Sequence, residues 1–406
     1  MLESVKSLLK IGPGPSSSHT IGPFKAASHF KSLLENKDVS YIKVILYGSL
    51  ALTGKGHLTD KIIIDTLKEY KVQVIFDVAT EVSHPNTVTF LAYDNMNEEI
   101  LSQTYISVGG GKIIKKGEKE DAEKTIYPFD TFKDLKDYLE SNKMGVRDLV
   151  IKYEGEEIIS YFEEVYDTMV KTIKKGLVTE GEVAPKLHVK RVAKEIFEKA
   201  QKVTDPSEKQ ILTLSSYAYA TAECNAAGEL VVTSPTCGSA GVLPSCLYYF
   251  EHDLHYAHDK VIDGLILASL VGLIIRKNAT ISGAVGGCQA EIGSACSMAA
   301  ASMCYIDGLN LHQCSYAAEI GMEHNLGLTC DPVMGYVAIP CIERNSIAAL
   351  KAYDAFIFAR NIAPIRSNYI SFDEVIKVMY ETGLSLNKDY KETSKGGLAK
   401  LNKGEC

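Results

Sequence analysis

Three cysteines in this 406-residue chain stand where turn chemistry sets the end of an element: Cys288 in SGAVGGCQAE, Cys330 in GLTCDP and Cys341 in AIPCIERN. Glycines before Cys288 let a bulky group approach the backbone, an Asp-Pro turn follows Cys330, and a proline precedes Cys341. Ligands of an iron–sulfur cluster commonly occupy such positions, and packing as a small buried hydrophobe is the competing use of a cysteine. Cys224, Cys237, Cys246, Cys296, Cys304 and Cys314, set among Ala, Ser and Met, read as packing residues. The tenth, Cys406, ends the chain in LNKGEC, where a free thiol is an oxidation liability that asks for a purpose. All ten follow residue 220, and no C-x-x-C pair occurs, which argues against a zinc ribbon or a thioredoxin-like motif.

Two glycine-bearing stretches near the N-terminus carry further chemistry. In GPGPSSSHT (12–20), Gly-Pro pairs fix a tight turn, and the hydroxyls and backbone N–H groups after it form a concavity suited to an anion. A helix expected to start near Pro23 would point its positive end at a carboxylate; a Ser-rich loop with an N-cap is the plainer reading. In LTGKGHLTD (52–60), His57 has the unperturbed pKa of a general base, about 6.5, though a histidine beside a glycine turn is more often structural. His84 in SHPNT is equally unspecific. SVGGGK (107–112) is not a phosphate loop, because Ile106 and Ile113 break the spacing. His252, His255 and His258 recur at three-residue steps, and a polar helix end is favoured there over a metal site.

These residues need elements to position them. The runs 41–51, 70–78 and 86–94 are β-branched and aromatic, the stretch 100–116 completes a hairpin with the third, and DKIIIDTLKEY has helical spacing between the first two. An α/β domain with a mixed sheet follows, covering residues 1–145. From about residue 130 amphipathic helices take over, and beyond Leu212 apolar residues on every face predict a buried, all-α domain over 146–406. The overall class expected is therefore α+β. KKGEKEDAEKT (115–125) reads as a solvated loop. The net charge of −8 argues against nucleic-acid binding. GLILASLVGLII (264–275) is too short for a bilayer, and the N-terminus lacks a signal-peptide core, so a cytoplasmic protein without membrane contact is expected.

The blocks IGPGPSSSHTIGP, LYGSLALTGKGH, YISVGGGK, SGAVGGCQAEIGSACSMAAA and EHNLGLTCDPVMGYVAIPCIERNSIAALKA, in that order, resemble the iron–sulfur-dependent L-serine dehydratases, in the single-chain form that fuses a β to an α domain. The resemblance implies a lyase that turns L-serine into pyruvate and ammonia, with a small amino acid as its only partner besides a second copy in a homodimer. It implies a 4Fe–4S cluster on Cys288, Cys330 and Cys341, with Cys406 on a tail that caps the fourth iron at rest. It implies His57 as the base, Ser16, Ser17, Ser18, His19 and Thr20 as substrate contacts, and Asn325, with its neighbour His324, as pocket residues. Leu58 stands where the family commonly has glycine, and Cys237 where asparagine is frequent. Threonine or cysteine as substrate, a non-catalytic iron–sulfur oxygen sensor, and a pyridoxal-phosphate lyase are the alternatives; the last finds only SVGGGK as a phosphate cup.

Overall fold

The computed structural model describes residues 1–109, 111–118, 125–184, 187–392 and 396–401. Nine strands occur among them: β1 (Ile11–Pro13), β2 (Tyr41–Tyr47), β3 (Lys71–Asp77), β4 (Thr87–Tyr93), β5 (Glu99–Gly109), β6 (Lys112–Lys115), β7 (Glu182–Val183), β8 (Val189–Lys190) and β9 (Leu230–Val232). Five of them form a mixed sheet in the order β3-β2-β4-β5-β6. β2 and β3 are parallel, joined by a crossover through the helices Gly48–Thr53 and Thr59–Thr66, and the remaining pairs are antiparallel. Along β2 the alternation puts Ile42, Val44 and Leu46 on one fully buried face. That face packs on Ala26, Ala27 and Phe30 of the helix Gly22–Ser32 and on Ile63 of the crossover. The expected mixed sheet is present.

The second core is helical, as expected. At its centre the helix Ser294–Ile306 is built from Ala, Ser, Cys and Met, with every residue but Tyr305 buried. Small side chains let neighbours close in: a Cβ on Gly321 of the helix Leu311–Glu323 would lie 3.1 Å from the Ser297 backbone nitrogen. Residues 264–275, the most apolar run, lie fully inside the helix His258–Asn278. No described helix is long and apolar enough to cross a membrane.

The two cores interleave at the N-terminus. Leu2, Val5, Leu8 and Leu9 belong to the helical core, and β1 pairs antiparallel with β9, Ile11 opposite Val232. Neither β1 nor β9 stands out as a strand in the sequence, because IGP carries a glycine and a proline, LVV is only three residues long, and each lies far along the chain from its partner. The chain thus leaves the helical body at Pro13 and enters the sheet unit through the serine loop. Tyr127 marks its return, paired with Leu2.

Candidate active site

A cavity of about 110 Å³ opens where the two cores meet, far more than the roughly 10–15 Å³ that admits one water. The sheet unit contributes Ser16, Ser17, Ser18 and His57, and the helical body contributes Cys288, Cys330 and Cys341. The serine loop is pinned from behind: Gly14 N–H donates to the Glu229 carbonyl (2.9 Å) and Asn225 Nδ2 donates to the Pro15 carbonyl (3.3 Å). A Cβ on Gly14 would lie 2.3 Å from Asn225 Oδ1 and 2.4 Å from the Asn225 carbonyl oxygen, so glycine is required there by close approach. Ser16 caps the following helical turn, its Oγ accepting from His19 N–H at 3.2 Å. Ser17 Oγ accepts from Cys237 N–H at 3.4 Å, tying the loop to the turn after β9.

His57 is buried at 1% exposure, and its Nδ1 lies 3.0 Å from the Thr53 carbonyl. A carbonyl only accepts, so Nδ1 carries the hydrogen and Nε2 holds a free lone pair toward the cavity. Burial lowers the His57 pKa from 6.5, which leaves the ring neutral near pH 7 and able to take a proton. The His19 ring stacks on it with centroids 4.6 Å apart. His19 is itself held by Ser18 Oγ (2.8 Å) and Ser49 Oγ (2.9 Å), and burial, then the neighbouring His57, lowers its pKa well below 6.5. Thr20 Oγ1 donates to the His57 carbonyl (2.8 Å). Leu58, next in the chain, sits in the left-handed region (φ 56°) and lies so close over Gly228 that a Cβ there would come within 2.9 Å of it.

The three thiols hold their protons more tightly than an ordinary thiol does. Burial pushes Cys288 up to about 11, and burial followed by neighbouring negative groups pushes Cys330 and Cys341 well above the ordinary thiol value. Cys288 and Glu291 raise Cys341, and Glu291 is the largest such contributor at Cys330. Metal binding would reverse that by drawing off the protons. Among the described residues no three His, Cys, Asp or Glu side chains gather as ligands of one metal ion. Three softly donating thiols, Cys288 and Cys330 buried and Cys341 half-buried, around a roomy cavity fit a multi-iron group better than a single ion.

Three acids and one guanidinium complete the wall. Glu291 accepts from Thr236 Oγ1 (2.6 Å) and lies 3.9 Å from Cys330 Sγ; burial raises its pKa. Asp331 accepts from Thr329 Oγ1 (2.7 Å) and from Leu398 N–H (2.8 Å). Arg344 donates to the Thr329 carbonyl (2.6 Å). Glu392 arrives on a strap: Cys330 N–H donates to the Tyr390 carbonyl (2.8 Å) and Glu392 N–H to the Cys330 carbonyl (2.7 Å). Its Oε1 stands 4.0 Å from His57 Nε2, and burial, then Glu291, pushes its carboxyl up to about 8.

Of the residues singled out in the sequence, Ser16, Ser17, Ser18, His57, Cys288, Cys330 and Cys341 share this cavity. His19 and Thr20 stand directly behind it. Asn325 does not line it: Nδ2 donates to the Gly321 carbonyl (2.6 Å) and Oδ1 accepts from Lys351 (3.1 Å), so the amide serves helix packing. His324 is exposed, its Nδ1 3.0 Å from the Ile320 carbonyl. Cys406 lies outside the described residues, as do Gly110 of SVGGGK and residues 119–124 of the charged loop. His258 is engaged by Glu251 and Glu163, each at 2.7 Å. Sequence reasoning missed Thr236, Glu291, Arg344 and Glu392, and it read Cys237, which also lines the cavity, as a packing residue. Glu291 and Arg344, each three residues beyond a cavity cysteine, were findable by helical spacing.

Comparison with known proteins agrees with this two-part cavity. A family model described as serine dehydratase beta chain matches residues 4–75, and one described as serine dehydratase alpha chain matches 76–399. An L-serine dehydratase of Streptomyces coelicolor is 38% identical over 462 residues, all of both chains. One from Haemophilus influenzae is 37% identical and L-serine dehydratase 2 of Escherichia coli 39%, each across 98% of both chains. With serine loop and histidine on the beta-type part and cysteines on the alpha-type part, this chain belongs to the serine dehydratase family, both parts joined in one polypeptide.

Proposed function

We propose that the protein is an L-serine ammonia-lyase, converting L-serine to pyruvate and ammonia. One observation carries the reading: a serine loop, a neutral buried histidine and three cysteines, from stretches far apart in sequence, line one cavity. Cys288, Cys330 and Cys341 would hold a 4Fe–4S cluster, and Cys406 would cap it at rest. When bound, such a cluster supplies a Lewis acid that polarises the substrate's β-hydroxyl. Ser16, Ser17 and Ser18, with the N–H groups of their turn, suit the substrate carboxylate. His57 Nε2 takes the α-proton, and the Thr53 carbonyl holds Nδ1–H so that this nitrogen stays the base. The β-hydroxyl departs with a proton as water, and the resulting aminoacrylate tautomerises and is hydrolysed to pyruvate and ammonia. His19, locked between Ser18 and Ser49, holds the His57 ring in plane.

The same reading includes a cytoplasmic homodimer and domains at 1–145 and 146–406; it draws these from the family resemblance and from the loss of strand signal after residue 130. The test is pyruvate release from L-serine by protein purified without oxygen, alongside its iron and sulfide content. Release that is lost on brief exposure to air, without unfolding, is expected. Protein that retains iron and sulfide but releases no pyruvate would end the serine assignment, and L-threonine and L-cysteine would be tried in its place.

A further inference from the structure

The cavity contains more acid than base. Glu291, Asp331 and Glu392 line it together with three thiols, and Arg344 is the only Lys or Arg on its wall among the described residues. Two of the acids are committed. Asp331 accepts from Thr329 and Leu398, and Glu291 accepts from Thr236. Glu392 differs: its Oε1 faces His57 Nε2 at 4.0 Å, and, buried beside Glu291, its carboxyl holds a proton until a cation enters the cavity. The chain goes to some length to bring it there. Glu392 adopts φ 58°, a conformation that is costly for a non-glycine residue, and both flanking hydrogen bonds go to Cys330.

We propose that Glu392 is the group that recognises the α-ammonium of the amino-acid substrate, an assignment that rests on the lyase reading above. The geometry closes. In an amino acid the nitrogen lies about 1.5 Å from Cα. A base must approach to about 3–3.5 Å of the Cα it deprotonates, and an ammonium hydrogen bond spans about 2.7–3.2 Å. A carboxylate oxygen 4.0 Å from Nε2 sits inside the reach set by those three segments, so one substrate can meet both groups at once. The serine loop, which lines the same cavity, is left for the carboxylate. The ammonium also supplies the positive charge that Arg344 alone does not.

The test compares the cluster-loaded wild type with Glu392→Gln and Glu392→Asp, each first checked for equal iron content and melting temperature. Calorimetric binding is measured for L-alanine, which has the ammonium and no leaving group, and for L-lactate, which has a hydroxyl in its place. Wild type is expected to favour L-alanine at least about tenfold, as hydrogen bonds to charged groups do. Glu392→Gln should bring that ratio near one, and Glu392→Asp should keep part of it. KM for L-serine should rise about 10- to 100-fold in the Gln variant, with kcat changing less. An unchanged ratio overturns the proposal. So does a lowered KM, which would make Glu392 a competitor of the substrate rather than its receptor. Absence of pyruvate from wild type sinks the lyase reading separately, because the binding ratio stands or falls without turnover.

Discussion

At the residue scale, His57 and His19 make a pH prediction whose sign follows from burial. Both rings are neutral in the folded chain, with pKa values depressed below 6.5. In the unfolded chain they titrate near 6.5. Below that pH the unfolded state binds protons that the folded state refuses, so stability falls as the pH is lowered through 6.5 and downward. The kinetic consequence has the same origin: a base that stays neutral to lower pH keeps working there. The acid limb of kcat/KM for L-serine is expected to fall below pH 6.5, and His57→Ala should lose about 10²- to 10⁴-fold in kcat. An acid limb at or above 6.5 would mean that the group titrating is not a buried neutral histidine. His57 was legible in the sequence by type and by its glycine turn, but its tautomer was not. That depends on the Thr53 carbonyl, four residues back across a helical turn, and no residue type announces an acceptor on the backbone.

At the scale of elements, the site depends on one short pairing. β1 and β9 hold the serine loop against the helix Pro206–Ala226, and Gly14 meets Asn225 without room for a Cβ. Gly14→Ala should therefore push the loop off the helix, costing about 1–3 kcal/mol as overpacking does. It should also raise KM for L-serine, since Ser16, Ser17 and Ser18 line the cavity, and lower kcat as far as His19 and Thr20, which hold His57, move with the loop. Thermal melts and steady-state kinetics read the two effects, and a variant with wild-type KM would separate the loop from binding. The strands of the sheet unit were readable because each carries its own β-branched and aromatic run, and the buried helices because Ala, Ser and Cys occupy every face. β1 and β9 were not. Ile-Gly-Pro of β1 holds a stronger signal for a turn, and Leu-Val-Val of β9, though β-branched, is too short a run to stand out without its partner. Glu392 was missed for the same reason, since only its bridge to Cys330 brings it to the cavity.

At the scale of the whole molecule, the cavity wall is assembled from segments far apart in the chain. They are joined by single hydrogen bonds such as Arg344 to the Thr329 carbonyl (2.6 Å) and Gln289 N–H to the Leu328 carbonyl (3.3 Å). Cys288 follows a four-residue helix, Cys330 lies on an irregular stretch, Cys341 opens a long helix, and the strap through Tyr390 and Glu392 is hydrogen-bonded to Cys330. A group ligated by the three thiols ties these segments to one another and binds the folded state alone, so its free energy of binding adds to stability. Without such a group, the three thiols line a cavity of about 110 Å³ with nothing to tie them together. The sheet unit has its own core on β2, β4 and the helix Gly22–Ser32, and that core shares no buried residue with the helical one. The loss of stability should accordingly be local. Air oxidation followed by iron chelation is expected to lower the melting temperature by several degrees. Amide exchange should speed up across residues 283–292, 328–342 and 388–392, while β2, β4 and β5 keep the protection they had. Equal loss of protection in the sheet would show that the two cores unfold as one. An unchanged melting temperature would show that the thiols hold nothing that stabilises the fold, and the cysteines would return to the role of small buried hydrophobes.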